Sequence, residues 1–306
     1  MPNGLIKIKI YAAYWRSLAL SLFTRENTML VRIAVHLGRD EGCERRLHAA
    51  TQLAADHKAE LVGVYASYFP LSFYDEVGTP KEVYSLLSAK LLEDQAKVRT
   101  MFEEVTASAG IVSRWRAPKG RADQVLALQS RFCDLLVMGQ ANPNESNTER
   151  FTNLAETVIM AAGRPVLMIP YIGKTYTPIG HRVLFCWDYR REATRAFADA
   201  HPILQESKEL VILTVDEPPE NLADNEIDAQ DFSSYCELRR YPVPKEIKRT
   251  SQGIGIGNAI LNAATDHSSD LIVMGAYGHS RIRDWVMGGA SRSILETMTV
   301  PILFSH

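Results

Sequence analysis

Four glycines and one serine near the carboxyl end of this sequence have types and spacing suited to holding an anion. They lie in GAYGHSRIRDWVMGGAS, Gly275 to Ser291, between the apolar run LIVM and a helical period. A helix start carries unpaired backbone N–H groups and the positive end of the helix dipole, so an anion is stabilised there. Gly275, directly after a strand, permits a sharp turn that other residues resist. Gly278 puts no side chain between its backbone and an approaching phosphate, and Gly288 and Gly289 do the same where the helix begins. Ser291 adds a hydroxyl donor or cap on the first turn. A polyphosphate is the natural guest. The competing reading, an ordinary loop with a C-cap glycine, is weakened by glycines at both ends of the loop. His279, Arg281 and Arg283 read equally well as contacts to a terminal phosphate or as a solvated face. Trp285 and Met287 read as packing beneath the loop.

Other chemistry fits less well. There is no GxxxxGK[ST] phosphate loop. GIGIGN, Gly253 to Asn258, has Asn258 where a dinucleotide fingerprint needs its last glycine, and no apolar strand precedes it. It reads as a loop opening a helix. Cys43, Cys133, Cys186 and Cys236 form no CxxC pair and no zinc spacing, which suits reduced thiols. A net charge of -2 gives no electrostatic reason to bind DNA or RNA.

The elements that must position the glycines occur twice. CDLLVMGQANPNESNTERFTNLAETVIMAAGRPVLMIP and SDLIVMGAYGHSRIRDWVMGGASRSILETMTVPILFSH align without a gap from Asp134 and Asp270, at a constant offset of 136. VRIAVHLGRDEGCERRLHAATQ is likewise similar to HRVLFCWDYRREATRAFADAHP. The chain is therefore expected to be a tandem duplication: a first domain over 29–170, a linker over 171–181 and a second domain over 182–306. In the first copy, strands are predicted near 31–37, 59–66, 111–116, 134–138 and 165–169, with helices near 42–57, 80–109, 120–131 and 152–162. Fully apolar strands alternating with helices predict two open, doubly wound α/β domains with mainly parallel five-stranded sheets. In the second copy an acidic stretch, DEPPENLADNEIDAQDF, stands in place of the long second helix. The apolar final strands, PVLMIP and PILFSH, are expected to pair, packing the halves as an internal pseudo-dimer; association of two chains is left open. Residues 1–28 read as an extension to the fold, too short and interrupted to span a bilayer, with an amphipathic surface anchor as the rival.

The spacing Gly275, two residues, Gly278, nine residues, Gly288 resembles the signature of ATP-binding universal stress proteins. DLIVMGAYGHSR, GGASRSIL and PILFSH are similar to the bacterial tandem members of that family. The resemblance implies a Rossmann-like, adenine nucleotide alpha hydrolase-like fold and a cytoplasmic, ATP-binding stress-response protein with no stable membrane association. It also implies that Asp188, ending VLFCWD, accepts the ribose hydroxyls, and that the backbone at Val215 holds adenine. By residue type alone, Asp188 opens a turn and Val215 is core. The family has Ser or Thr after its last glycine; this chain has Gly289, with Ser291 two residues on to supply the hydroxyl.

The offset of 136 sets Asn142, Thr152, Asn153 and Ala155 of the first copy opposite Gly278, Gly288, Gly289 and Ser291, and only Gly139 still matches, opposite Gly275. Gly38 stands opposite Asp188. The first copy is thus expected to be structural or regulatory, and the second to bind one ATP. Mg²⁺, if it accompanies the phosphates, could be held by Asp188 or Asp284. A slow ATP hydrolase and a ligand-free dimerisation module are the alternatives.

Overall fold

The computed structural model describes residues 30–66, 78, 80–144, 153–173, 178–216, 229–276 and 289–306. In the first half, β1 (Arg32–Leu37), β2 (Glu60–Tyr65), β3 (Ser113–Arg116), β4 (Leu135–Gly139) and β5 (Val166–Ile169) alternate with α1 (Cys43–His57), α2 (Lys81–Ser108), α3 (Ala122–Ser130) and α4 (Leu154–Ala161). The second half runs β6 (Arg182–Cys186), α5 (Arg191–Asp199), α6 (His201–Glu206), β7 (Glu209–Val215), α7 (Ala229–Leu238), β8 (Lys245–Arg249), α8 (Ile256–Asp266), β9 (Leu271–Gly275), α9 (Gly289–Thr297) and β10 (Ile302–Ser305). The predicted elements of the first half are all present within a few residues of their expected ends. In the second half α7, of 10 residues, begins within the end of the acidic stretch where the first half has the 28-residue α2.

All ten strands form one sheet, in the order β3-β2-β1-β4-β5-β10-β9-β6-β7-β8. Every pairing within a half is parallel, and β5 meets β10 antiparallel, with Leu167 opposite Leu303. Two five-stranded α/β halves are thus joined edge to edge. The join covers two apolar strands whose open edges would invite association, while the outer edges, SRWR and KEIKR, carry charge that discourages it.

Alternate residues of each strand feed two cores. Ile33, Val35, Leu37, Val183 and Phe185 face α1, α2, α5 and α6; Ala34, Leu184 and Ile302 face α3, α4, α8 and α9. The duplication extends to a shared clamp. The Asp134 carboxylate accepts from the backbone N–H of Val31 and Arg32 at 2.7 and 2.9 Å. Asp270 does the same for Gly180 and Arg182 at 2.7 and 3.0 Å. Each ties the entry of its half's first strand to its fourth. Among the described residues no helix is long and apolar enough to cross a membrane.

Candidate functional site

In each half the strand order reverses beside the first strand, between β1 and β4 and between β9 and β6. Such switch points leave a crevice beyond the carboxyl ends of the strands, where open α/β sheets take their ligands.

In the second half three of the sequence-predicted residues come to that edge. Cys186 pairs with Leu213, which sets Val215 level with Asp188; Phe185 pairs with Val273, which sets Gly275 level with Trp187. Asp188, Val215 and Gly275 therefore end three neighbouring strands. The Asp188 side chain is 58% exposed. Its Oδ1 accepts from the Arg190 backbone N–H at 3.1 Å, and Arg190 Nε lies 3.8 Å from Oδ2. This is a turn that leads into α5, with Tyr189 left-handed at φ 64°. The carboxylate lies at the surface of the crevice. Val215 is half-buried against the core under α8. Ser291 lies in the first turn of α9 and is 5% exposed, and Gly289 opens that helix. Gly278 and Gly288 lie outside the described residues, as do His279, Arg281, Arg283, Asp284, Trp285 and Met287.

The structure gives Gly275 a different reason from the sharp turn expected of it. It is not among the residues of positive φ. A Cβ there would lie 2.5 Å from the backbone carbon of Glu192 and 2.6 Å from the Ala193 nitrogen. The start of α5 thus rests directly on the end of β9, and only glycine permits that approach. Gly255, by contrast, does need its freedom: at φ 81° it opens α8, so GIGIGN is the helix-opening loop the sequence suggests.

Near the same strand ends, Trp187, Tyr189, Thr214, Phe232 and Tyr235 line a cavity of about 570 Å³. Trp187 packs against Phe185, Tyr189 and Phe232. Burial, with Asp188 adding to it, pushes the Cys186 thiol far up, so it is protonated at neutral pH and is no nucleophile. Among the described residues no group of three His, Cys, Asp or Glu could hold a metal ion.

The equivalent edge of the first half is filled from within. Arg46, 2% exposed, donates through Nε to the His36 carbonyl and through both terminal nitrogens to the Asp40 carboxylate. A Cβ on Gly139 would meet Arg46 Nη1 at 2.7 Å. Burial pushes the Asp40 carboxyl up, but the Arg46 charge and its hydrogen bonds outweigh this and hold the pKa at about 2. Burial, then the Arg46 charge, lower His36 to about 4, so its ring is neutral. This buried pair was missed in the sequence. A signal was there: aligned at an offset of 150, Arg46 stands opposite Ala196 and Asp40 opposite Arg190. Asn142 donates to the Glu41 carboxylate at 3.2 Å and accepts from the Asn144 N–H. Thr152 lies outside the described residues, Asn153 is exposed before α4, and Ala155 is half-buried in its first turn.

The fold and the site edge define a two-copy α/β protein with a crevice at each switch point. Residues 180–306 match the model of the Universal stress protein family. A universal stress protein of Synechocystis sp. is 42% identical over 45 residues, 15% of this chain and 16% of that relative's length. A universal stress protein from Archaeoglobus fulgidus DSM 4304 superposes over 89% of this chain and 97% of its own, with TM-score 0.66 and 17% identity. A second, from Pseudomonas aeruginosa UCBPP-PA14, covers 91% of this chain and 94% of its own, with TM-score 0.58 and 14% identity. The structural matches establish the tandem fold, and the family match supports homology to the universal stress proteins.

Proposed function

We propose that this chain binds one ATP at the carboxyl edge of its second half and acts as a nucleotide-dependent regulatory protein of the stress response. The observation that carries this reading is the convergence of Asp188, Val215 and Gly275 on three adjacent strand ends at the switch point, in the half that matches the family. The glycine spacing from Gly275 to Gly288 continues from that edge. Asp188, exposed and charged, fits a ribose whose two hydroxyls donate to it. The backbone at Val215 fits the adenine edge. Gly278, Gly288, Gly289 and Ser291 would cradle the phosphates, and Mg²⁺ would travel with them.

In this reading the protein binds rather than turns over its nucleotide. Fast phosphoryl transfer needs a positioned water, a metal and a base, and the motif carries no Walker-type Asp to organise them. Binding would bias whichever conformation holds the nucleotide more tightly, in a cytoplasmic protein.

Nucleotide extracted from the purified full chain tests the reading. Intact ATP, one per chain, supports it. ADP favours the slow hydrolase, and no nucleotide favours the ligand-free module. Calorimetry then assigns the site. Gly278→Val should abolish ATP binding by bulk. Asp188→Ala should weaken it by about 1.5–3 kcal/mol, the worth of hydrogen bonds to a charged group.

A further inference from the structure

The first half's crevice is not wholly closed by Arg46. A cavity of about 190 Å³ remains beside it, reaching from the end of β4 to the first turn of α4 and to α9 of the other half. Met138, Leu154, Met168 and Leu295 form apolar wall. Three guanidinium groups line it, and each is engaged. Arg46 is paired with Asp40, Arg292 with Glu296 at 3.0 Å, and Arg45 donates to the carbonyls of Pro170 and Tyr171. Gln140 spends its amide on the Leu295 and Glu296 carbonyls and on the Tyr171 N–H.

One charged wall group stands apart. Glu156, only 9% exposed, lines the cavity and makes no hydrogen bond or ion pair among the described residues. The side chain is largely covered, while neither carboxylate oxygen is among the sealed, unpartnered polar atoms, so the head group opens onto the cavity. Its pKa is raised by burial; the Arg292 charge opposes this, and Glu296, the weakest of the three, adds to it. It also reverses the charge of the other copy: at the offset of 136, Glu156 stands opposite Arg292. A carboxylate thus stands at the cavity wall in the copy whose glycines for an anion are gone.

We propose that this cavity is a binding site for a small primary alkylammonium ion, its charged head on the Glu156 carboxylate and its chain against Met138, Leu154 and Met168. Size sets the class. An apolar cavity of about 150 Å³ holds a benzene, so this one suits an amine of roughly five to seven heavy atoms. A metal ion is a poorer occupant, because no three ligating side chains meet among the described residues. The site lies at the first half's crevice, with α9 of the second half as one wall, and stands whether or not the second half takes ATP.

The test is titration of the full chain with n-butylammonium, butan-1-ol and butyrate, followed by calorimetry and by chemical shifts. The ammonium should bind at least tenfold more tightly than the alcohol, and butyrate more weakly than either. Glu156→Gln should remove that tenfold preference and leave the alcohol unchanged. Ala155→Leu, which fills the cavity with Glu156 intact, should abolish binding of all three, and it decides the matter alone if Glu156→Gln fails to fold. Equal binding of amine and alcohol, preference for butyrate, no binding, or full ammonium affinity in either folded variant overturns the proposal.

Discussion

Gly139 and Gly275 end equivalent strands of the two halves, yet they are glycines for different reasons. At Gly275 a side chain would collide with the backbone of α5 at Glu192 and Ala193; at Gly139 it would collide with the guanidinium of Arg46. One strand end is met by a helix, the other by a buried ion pair. The residues on the first helix of each half make the difference. Arg46 of α1 reaches back over the strand end, and Ala196, aligned with it in α5, is too short to do so. A duplicated fold has kept its frame, down to the paired clamps of Asp134 and Asp270, and changed what stands at its switch point.

The largest effect that would break this comparison is the loss of Arg46. Arg46→Ala leaves Asp40 without its partner in a crevice where its side chain is 27% exposed. Removing one member of a buried pair costs about 3–5 kcal/mol, and the partial exposure of Asp40 puts this case near about 3 kcal/mol. Denaturant unfolding measures it. ATP affinity should not move, because the nucleotide edge lies in the other half. A loss of affinity with the fold intact would mean that the two edges are coupled.

Acid should reach the first half's edge in two stages. The His36 pKa in the fold, about 4, lies below its ordinary 6.5. The unfolded chain therefore binds the extra proton first, and stability falls as pH drops from about 6.5 to 4. Asp40, at about 2 against an ordinary 3.8, adds a second loss as pH falls from about 4 to 2. At about 1.36 kcal/mol per unit, the His36 stage amounts to at most about 3.4 kcal/mol. His36→Leu should flatten the stability profile between pH 6.5 and 4 and leave the lower stage in place. Cys186, aligned with His36 in the second half, is protonated across this whole range and contributes no slope.

The fold was legible in the sequence because it rests on patterns that survive without side-chain detail. LLVM and LIVM are apolar at every position, as parallel strands covered on both faces must be, and the offset of 136 announces the second copy. The pairing of β5 with β10 followed from two apolar terminal strands that had to be covered. The site was legible only as far as strand ends go. Asp188 and Val215 entered only through the family resemblance, and the neighbour of Gly275 did not enter at all, since Glu192 and Ala193 lie 83 and 82 residues earlier in the chain. The Arg46–Asp40 pair stayed hidden for a related reason. An Arg six residues after an Asp reads as a solvated helix face until tertiary packing turns it inward.

That packing separates the two strand ends in how far they can yield. Gly275→Ala sets a Cβ 2.5 Å from backbone, so helix and strand must part. Overpacking of this kind costs typically about 1–3 kcal/mol. Gly139→Ala meets the far end of a side chain, which can shift by a few tenths of an ångström, so its cost should be the smaller. Thermal melts of the two variants rank them. The reverse order would mean that the Arg46 pair is held more rigidly than the packing of α5.

The smallest effect is the most discriminating for the comparison. Asn142 occupies the place of Gly278 in the first copy, and its side chain donates to Glu41 and accepts from the Asn144 N–H, both exposed contacts. Hydrogen bonds open to water are replaced by water when lost, so Asn142→Val should cost about 0.5 kcal/mol or less, at the low end of net hydrogen-bond contributions. It should leave ATP affinity and a stoichiometry of one unchanged in a calorimetric titration, because the strand end beside it is already taken by Arg46. The same substitution at the aligned glycine, Gly278→Val, should abolish binding. If Asn142→Val halves the stoichiometry from two to one, the first crevice takes nucleotide despite its ion pair, and the two halves are functional equals.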